Sequence, residues 1–298
     1  YYSNDTVDDL IVEYRTDLDA SSRAETAKEI QAILYEDQPY IPIVNTAALW
    51  AANEGMGLDE KDLLFLGTLN YGDQWKGLEH DTDADLVYAH SYELSEFVPF
   101  VQQSYIAAAY MNTIFTGLYE RDVTDANYDY MPVLAGADPV WNENYTVATV
   151  DLNTAAKFSN GNSVTAWDVV NTYRMHLTPA FASTLNGDIA PFLDMTKGNE
   201  SVEYVDADTV KFHFADPYFQ ATGVMSLGIL DSSVVGNYTS PAAADYDYNS
   251  NATYYGVGAG PFMYDDIDTT NSNVKVVAVP NYWNGAVASD SVTFAKST

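Results

Sequence analysis

The chain has 298 residues, 47% of them apolar, and contains 12 lysines and arginines against 43 aspartates and glutamates. The net charge of -31 excludes nucleic-acid binding, because phosphates need a basic surface, and the lack of cysteine excludes thiol catalysis, disulfides and thiolate metal sites. No apolar run reaches the length of about 18 residues that a membrane-spanning helix needs, so we expect no direct membrane span.

Two helices are predicted near the N-terminus. The first covers residues 6–17, with Thr6 and Asp9 as a capping box, and the second covers residues 22–36. A proline-containing segment at 40–44 is predicted to be extended and to lie at a sheet edge or to lead into a sheet. Because the chain starts with Tyr rather than Met and has no signal-like segment, we expect a processed or excerpted product.

A polar stretch separates this N-terminal segment from the rest of the chain. Residues 76–85 are acidic and lie between two apolar regions, which predicts a linker. The predicted elements after it are a helix over 101–118 and strands at 86–89, 147–152, 209–214 and 275–279. This mixture of strands and helices predicts a mixed α/β fold.

Residues 157–176 form a strand-turn-helix unit. The Asn160-Gly161 pair suits a tight turn, because both residues tolerate positive φ angles. The following helix is predicted to start at Thr165, whose hydroxyl caps the free amides while Asp168 accepts a hydrogen bond in return. The unit is structural and carries no catalytic chemistry of its own.

The glycines at 256, 258 and 260 superficially match a nucleotide-binding loop. They precede a predicted strand rather than a helix, and no lysine follows them, so we reject a phosphate site. We expect a turn at 258–262 that leads into a strand.

No motif indicates catalysis. The four histidines are scattered without metal-ligand spacing, the serines lack a nucleophile elbow, and no spacing selects a pair of carboxylates for glycoside hydrolysis. The sequence therefore predicts that the protein is not an enzyme.

An acidic run offers the nearest approach to a metal site. Asp81, Asp83 and Asp85 match the first ligand positions of a calcium loop. Leu86 and Tyr92 stand where an EF-hand needs glycine and glutamate, so a loose, oxygen-lined calcium site and a solvated acidic linker both remain open.

The sequence also carries signs of an exposed location. Five sequons are present, more than chance supplies, and they predict N-glycosylation at Asn4, Asn144, Asn199, Asn237 and Asn251. The 24 tyrosines suit ligand clefts and subunit interfaces equally well, because the ring covers apolar area while the hydroxyl stays at the water boundary.

Several stretches occur together in a recognisable order. They are Lys157–Tyr173 (KFSNGNSVTAWDVVNTY), Asn112–Glu120 (NTIFTGLYE), Met131–Ala135 (MPVLA), Asp208–Phe212 (DTVKF), Gly258–Phe262 (GAGPF) and Asn281–Gly285 (NYWNG). Together they resemble the extracellular solute-binding proteins of family 5, which serve peptide and nickel ABC transporters. The resemblance implies a lobe like that of type II periplasmic binding proteins, with a mixed sheet and flanking helices.

The order of the pieces departs from that family. Residues 6–44 resemble its C-terminal end, although here they precede everything else. The resemblance therefore implies a permuted or tandem order: a tail-like segment at 1–75, a linker at 76–85 and a first lobe at 86–298. No ligand contact is carried over, because relatives take much of their ligand clamp from a second lobe. If the first segment folds on its own chain, the helix at 22–36 is expected to pack on a sheet of that chain.

Two functions follow from these observations and stay open. The first is an extracellular binding protein for a peptide-like solute, with that solute and a membrane permease as partners. The alternative is a cell-surface structural protein (a filament, sheath or S-layer subunit) that re-uses the fold and assembles with copies of itself. Both predict a location outside the cell or on its surface.

Overall fold

The computed structural model describes residues 2–41, 43, 51–58, 72–101, 105–122, 129–240, 242, 245 and 247–297. The extended segment predicted at 40–44 lies partly outside these residues. Of its described members, Tyr40, Ile41 and Ile43 are all strongly exposed. The predicted mixed α/β fold is confirmed.

The elements are as follows. The strands are β1 (Asp85–His90), β2 (Tyr119–Arg121), β3 (Tyr130–Pro132), β4 (Val140–Trp141), β5 (Val147–Asp151), β6 (Val202–Tyr204), β7 (Thr209–His213), β8 (Phe262–Asp268), β9 (Asn273–Ala278) and β10 (Ser291–Lys296). The longer helices are α1 (Asp5–Thr16), α2 (Ala20–Asp37), α3 (Tyr105–Ile114) and α4 (Ala166–Leu177). The helices of a single turn are α5 (Asn186–Ile189), α6 (Ala221–Val224), α7 (Ser232–Val235) and α8 (Ala252–Tyr255).

The first sheet has the strand order β1-β10-β9-β8. Strand β1 runs parallel to β10, while the other neighbours are antiparallel. Its apolar cluster includes Trp75, Tyr110, Phe262 and Phe294, all buried. Because Tyr110 belongs to α3, this helix covers the sheet and closes the first core.

The second sheet is entirely antiparallel, with the order β4-β5-β7-β6. Helix α4 packs on it, and Val169, Tyr173 and Phe212 lie in its fully buried cluster. The capping box predicted for this helix is confirmed: the main-chain nitrogen of Thr165 donates to Asp168 Oδ2 over 2.8 Å.

The N-terminal helices form an antiparallel pair whose caps differ from the prediction. The side chain of Asn4, rather than Thr6, caps α1, because its Oδ1 accepts from the main-chain nitrogens of Thr6 and Val7. The expectation that helix 22–36 would pack on a sheet is also wrong. Helix α2 packs along α1, and Thr26 is its one fully buried residue.

Helix α3 is shorter than the predicted helix at 101–118 and ends at Ile114. A second segment hydrogen-bonds the last carbonyl group of this helix: the main-chain nitrogen of Gly260 donates to the Ile114 oxygen over 2.8 Å. A Cβ at Gly258 would overlap that same oxygen, and one at Gly260 would lie 2.5 Å from the Thr113 oxygen. The glycines therefore serve a close approach of two backbones rather than a phosphate.

Replacing Gly258 with alanine should lower the free energy of unfolding by about 1–3 kcal/mol, because the added methyl group has no space beside the α3 backbone. Urea denaturation would measure the change. The matched control is Gly187→Ala in α5, where an added Cβ would meet no atom within 4 Å. Equal stabilities of the two variants would contradict the close-approach interpretation.

Candidate ligand-binding cavity

A short 3-10 turn, Gly72–Gly77, is held against the lobe by its own polar side chains. Asp73 is buried; one carboxylate oxygen accepts from the Tyr282 hydroxyl, and the other accepts from Asn284 Nδ2 over 2.9 Å. Lys76 Nζ lies 2.7 Å from Asp73 Oδ2 and donates to the Asn284 carbonyl oxygen over 2.9 Å. The Asn-Tyr-Trp-Asn-Gly motif therefore anchors this turn.

A second carboxyl group completes the anchor. Glu120 accepts a hydrogen bond from the main-chain nitrogen of Asp73 over 2.6 Å. Burial, with a further contribution from the nearby Asp73 charge, raises the pKa of Glu120 to about 8. Glu120 is therefore largely uncharged at pH 7, which relieves the repulsion between two buried carboxyl groups. Gly72 lies beside it with a φ of 45°, and a Cβ there would overlap Glu120 Oε2, so any other residue would have to displace this carboxyl group.

The anchored turn places Trp75 in the core of the first sheet. The Trp75 ring is 5.6 Å from the Phe294 ring and 6.4 Å from the Tyr88 ring. Leu78 is buried beside it. The first residues of the predicted linker at 76–85 thus pack with the lobe, whereas the exposed part lies nearer β1. The boundaries of the three predicted segments stay a prediction.

A cavity of about 520 Å³ lies between residues 51–58 and strand β1. Consecutive residues of β1 line it, from Asp85 to Ala89. Because neighbouring side chains of a strand point to opposite faces, this lining places the cavity along the edge of the strand. Its apolar lining includes Met56, Leu58, Trp75, Leu78, Leu86 and Val292, and its polar lining includes Asn53, His80, Thr82, Asp83 and Asp85.

Of the three predicted calcium ligands, Asp83 and Asp85 line this cavity. Asp83 accepts from the main-chain nitrogen of Asp85, and Asp85 accepts from the Ser291 hydroxyl. Asp81 lies 3.3 Å from His80 Nδ1. Within the described ranges, no group of three or more acidic, histidine or cysteine side chains could hold a metal ion. The calcium interpretation therefore gains no support from the geometry.

The predicted glycosylation sites differ in exposure. Asn144, Asn199, Asn237 and Asn251 are exposed. Asn4 is half-buried, and its Nδ2 donates to Asp37 Oδ2 over 2.8 Å. A glycan on Asn4 would break this bond, so the geometry suits modification at the other four asparagines better.

The fold defines the class of the protein. The chain superposes on the Bacillus subtilis oligopeptide-binding protein AppA in complex with a nonapeptide with a TM-score of 0.59, 23% identity and coverage of 72% of this chain and 40% of that one. The match to Listeria monocytogenes OppA bound to peptide has a TM-score of 0.60, 19% identity and coverage of 72% and 43%. The predicted type II periplasmic-binding-protein-like fold is therefore confirmed.

The sequence places the chain in a family within that class. The model of the middle region of the bacterial extracellular solute-binding proteins, family 5, matches residues 129–297. The chain belongs to this family, and the resemblance inferred from its motifs is confirmed. A dipeptide-binding protein of Lactococcus lactis subsp. cremoris is 30% identical over 163 residues, which cover 49% of this chain and 28% of the relative.

The chain spans less than half the length of these relatives. None of the helices in the described part of the chain is long and apolar enough to cross a membrane.

Proposed function

We propose that the chain is a lobe of an extracellular, non-catalytic binding protein that receives a peptide-like solute for an ABC transporter. Membership of the solute-binding family supports this function. So do the names of its relatives, which include a dipeptide-binding protein and an oligopeptide-binding protein in complex with a nonapeptide. The partners would be the solute and a membrane permease, and the location would be outside the cell or on its surface.

The observation that carries the proposal within the molecule is the cavity along β1. Its volume of about 520 Å³ falls within the usual range of small-molecule sites, roughly 300–1,000 Å³. The apolar lining, with Met56 and Trp75, suits peptide side chains, and the Asp83 and Asp85 carboxylates suit an ammonium group.

The alternative of a filament, sheath or S-layer subunit gains no support from these relatives. Glycosylation at the four exposed sequons remains part of the proposal. It is tested by mass spectrometry of the protein isolated from its natural host, where intact, unmodified peptides at all four sites would exclude it.

We expect the full chain to bind short peptides, measured by isothermal titration calorimetry with peptides of two to nine residues. Met56→Arg should weaken binding about tenfold or more, because it inserts a charge into the apolar part of the cavity. The control is Val12→Arg, at an exposed position of α1. If no peptide of the set binds, the proposed function is wrong. If both variants bind like the unaltered protein, the site lies elsewhere.

A further inference from the structure

A second concave site, which we call the Arg23 groove, lies between the N-terminal helix pair and the second sheet. It has a volume of about 420 Å³ and is lined by Arg23, Trp141, Tyr145, Tyr218, Phe219 and Thr222, among others. It shares no lining residue with the cavity along β1. Its size falls within the usual range of small-molecule sites, roughly 300–1,000 Å³.

The charged group of this groove is the half-buried Arg23. Its guanidinium carbon lies 4.3 Å from the centre of the Phe219 ring, and Nη1 donates to the Asp17 carbonyl oxygen over 3.0 Å. None of the ion pairs among the described residues involves Arg23, although, behind hydrogen bonds from Ser22 and Asp19, its charge contributes to a lowered pKa of Asp17. This is notable in a chain with 43 acidic residues. A guanidinium group has five N–H donors, so it retains donors for an anion.

Phe219, whose ring lies against the Arg23 guanidinium, is held in place by contacts with α1. Tyr14 of α1 packs edge-on against the Phe219 ring, with ring centres 5.3 Å apart. The main-chain nitrogen of Phe219 donates to the Arg15 oxygen over 3.3 Å. The charge of Arg15, the residue that supplies this oxygen, acts on the nearby Tyr218 hydroxyl.

The aromatic walls are also held in place. Tyr218 stacks on Phe192, with ring centres 4.4 Å apart and an interplanar angle of 10°. On the opposite strand pair, the Trp141 and Tyr145 rings are 6.1 Å apart. Tyr145 has a φ of 53°, a left-handed conformation that is costly for a side chain of this size. Its main-chain nitrogen donates to the Asn142 oxygen over 3.1 Å, which fixes the turn.

We propose that the Arg23 groove binds a small carboxylate with an aromatic or large apolar body, such as an N-acylated aromatic amino acid. The carboxylate would pair with the Arg23 guanidinium, whose planar fork matches two carboxylate oxygens. The apolar body would lie against Trp141 and Tyr218, and the Thr222 hydroxyl offers a further hydrogen bond. The inference goes beyond the proposed function, because it concerns another site and needs no role in peptide transport.

The test compares N-acetyl-L-phenylalanine with its uncharged amide, each titrated into the full chain by calorimetry. We expect the acid to bind with a Kd of about 1 mM or below and the amide to bind at least about tenfold more weakly. Arg23→Gln should remove this difference, whereas Arg23→Lys should retain part of it. The control is Lys28→Gln, an exposed position on the same helix, which should bind like the unaltered protein.

A second variant tests whether any loss of binding in the Arg23 variants comes from the groove rather than from misfolding of the N-terminal helix pair. Trp141→Ala changes the opposite wall, on the second sheet, and should also weaken binding of the acid about tenfold. Absence of binding, equal affinity for acid and amide, or no effect of either substitution would overturn the proposal. Met56→Arg should leave binding of the acid unchanged. Binding of the acid without binding of peptides would support the groove and refute only the proposed function.

Discussion

Replacing Asp168 with alanine should lower the free energy of unfolding by about 3–5 kcal/mol, because one buried carboxylate joins two elements. Its Oδ2 accepts from the main-chain nitrogen and hydroxyl of Thr165, over 2.8 and 2.7 Å. Its Oδ1 accepts from the main-chain nitrogen and hydroxyl of Ser232, over 2.9 and 2.6 Å. The change leaves these donors without a partner at the starts of α4 and α7.

Urea denaturation followed by circular dichroism measures this effect. Asp168→Asn should cost less than the alanine substitution but still more than about 1 kcal/mol, because an amide nitrogen cannot accept the bonds of a carboxylate oxygen. The control is Asp188→Asn in α5, an exposed position. If the free energy of unfolding falls by less than about 1 kcal/mol in both Asp168 variants, the contacts of Asp168 with Thr165 and Ser232 contribute little to stability.

Glu120 should make stability fall as pH rises, relative to a Glu120→Gln variant. Burial raises its pKa in the folded state to about 8 from an ordinary value of 4.5. Below pH 4.5 both states carry the proton, so no difference arises from this group. Between these two pH values the folded state keeps the proton that the unfolded state loses, and stability falls by about 1.4 kcal/mol per pH unit. Above about pH 8 the full penalty is present.

The measurement is urea denaturation of both proteins between pH 4.5 and pH 9. The glutamine side chain is uncharged at every pH but can still accept the bond from the Asp73 nitrogen. As pH rises, the unfolding free energy of the variant should therefore increasingly exceed that of the unaltered protein. The pH dependence that comes from the carboxyl groups shared by both proteins cancels in this difference. A constant difference across the range would contradict a proton held by Glu120 in the folded protein.

Local patterns in the sequence predict local structure well in this protein. The Thr165/Asp168 box and the Asn160-Gly161 turn are set by residues within a few positions of one another. The type of fold also follows from motifs, because each one marks a strand, turn or helix that the lobe needs. The sequence does not select the cap of α1, because Asn4 and Thr6 both suit the position; the contact with Asp37, 33 residues away, holds Asn4 in place.

The parts that could not be predicted depend on distant partners. Asp168 and Ser232 are 64 residues apart, and Asp73 and Tyr282 are 209 residues apart. No local pattern reports such pairs, so the sequence does not predict that the turn Gly72–Gly77 is anchored. The Arg23 groove was missed for the same reason. Its only sequence signal is the abundance of tyrosine, which does not say which rings meet.

The parallel pairing of β1 with β10 affects the order in which the two sheets can form during synthesis. Asp85 pairs with Ser291, so the first sheet cannot close before residues 291–296 have left the ribosome. The second sheet needs only residues between Val140 and His213 and can assemble much earlier. Closing the longer loop also costs more chain entropy. Until β10 is available, Trp75 lacks the contact with the Phe294 ring that it has in the folded protein, and apolar surface that stays uncovered during folding promotes aggregation.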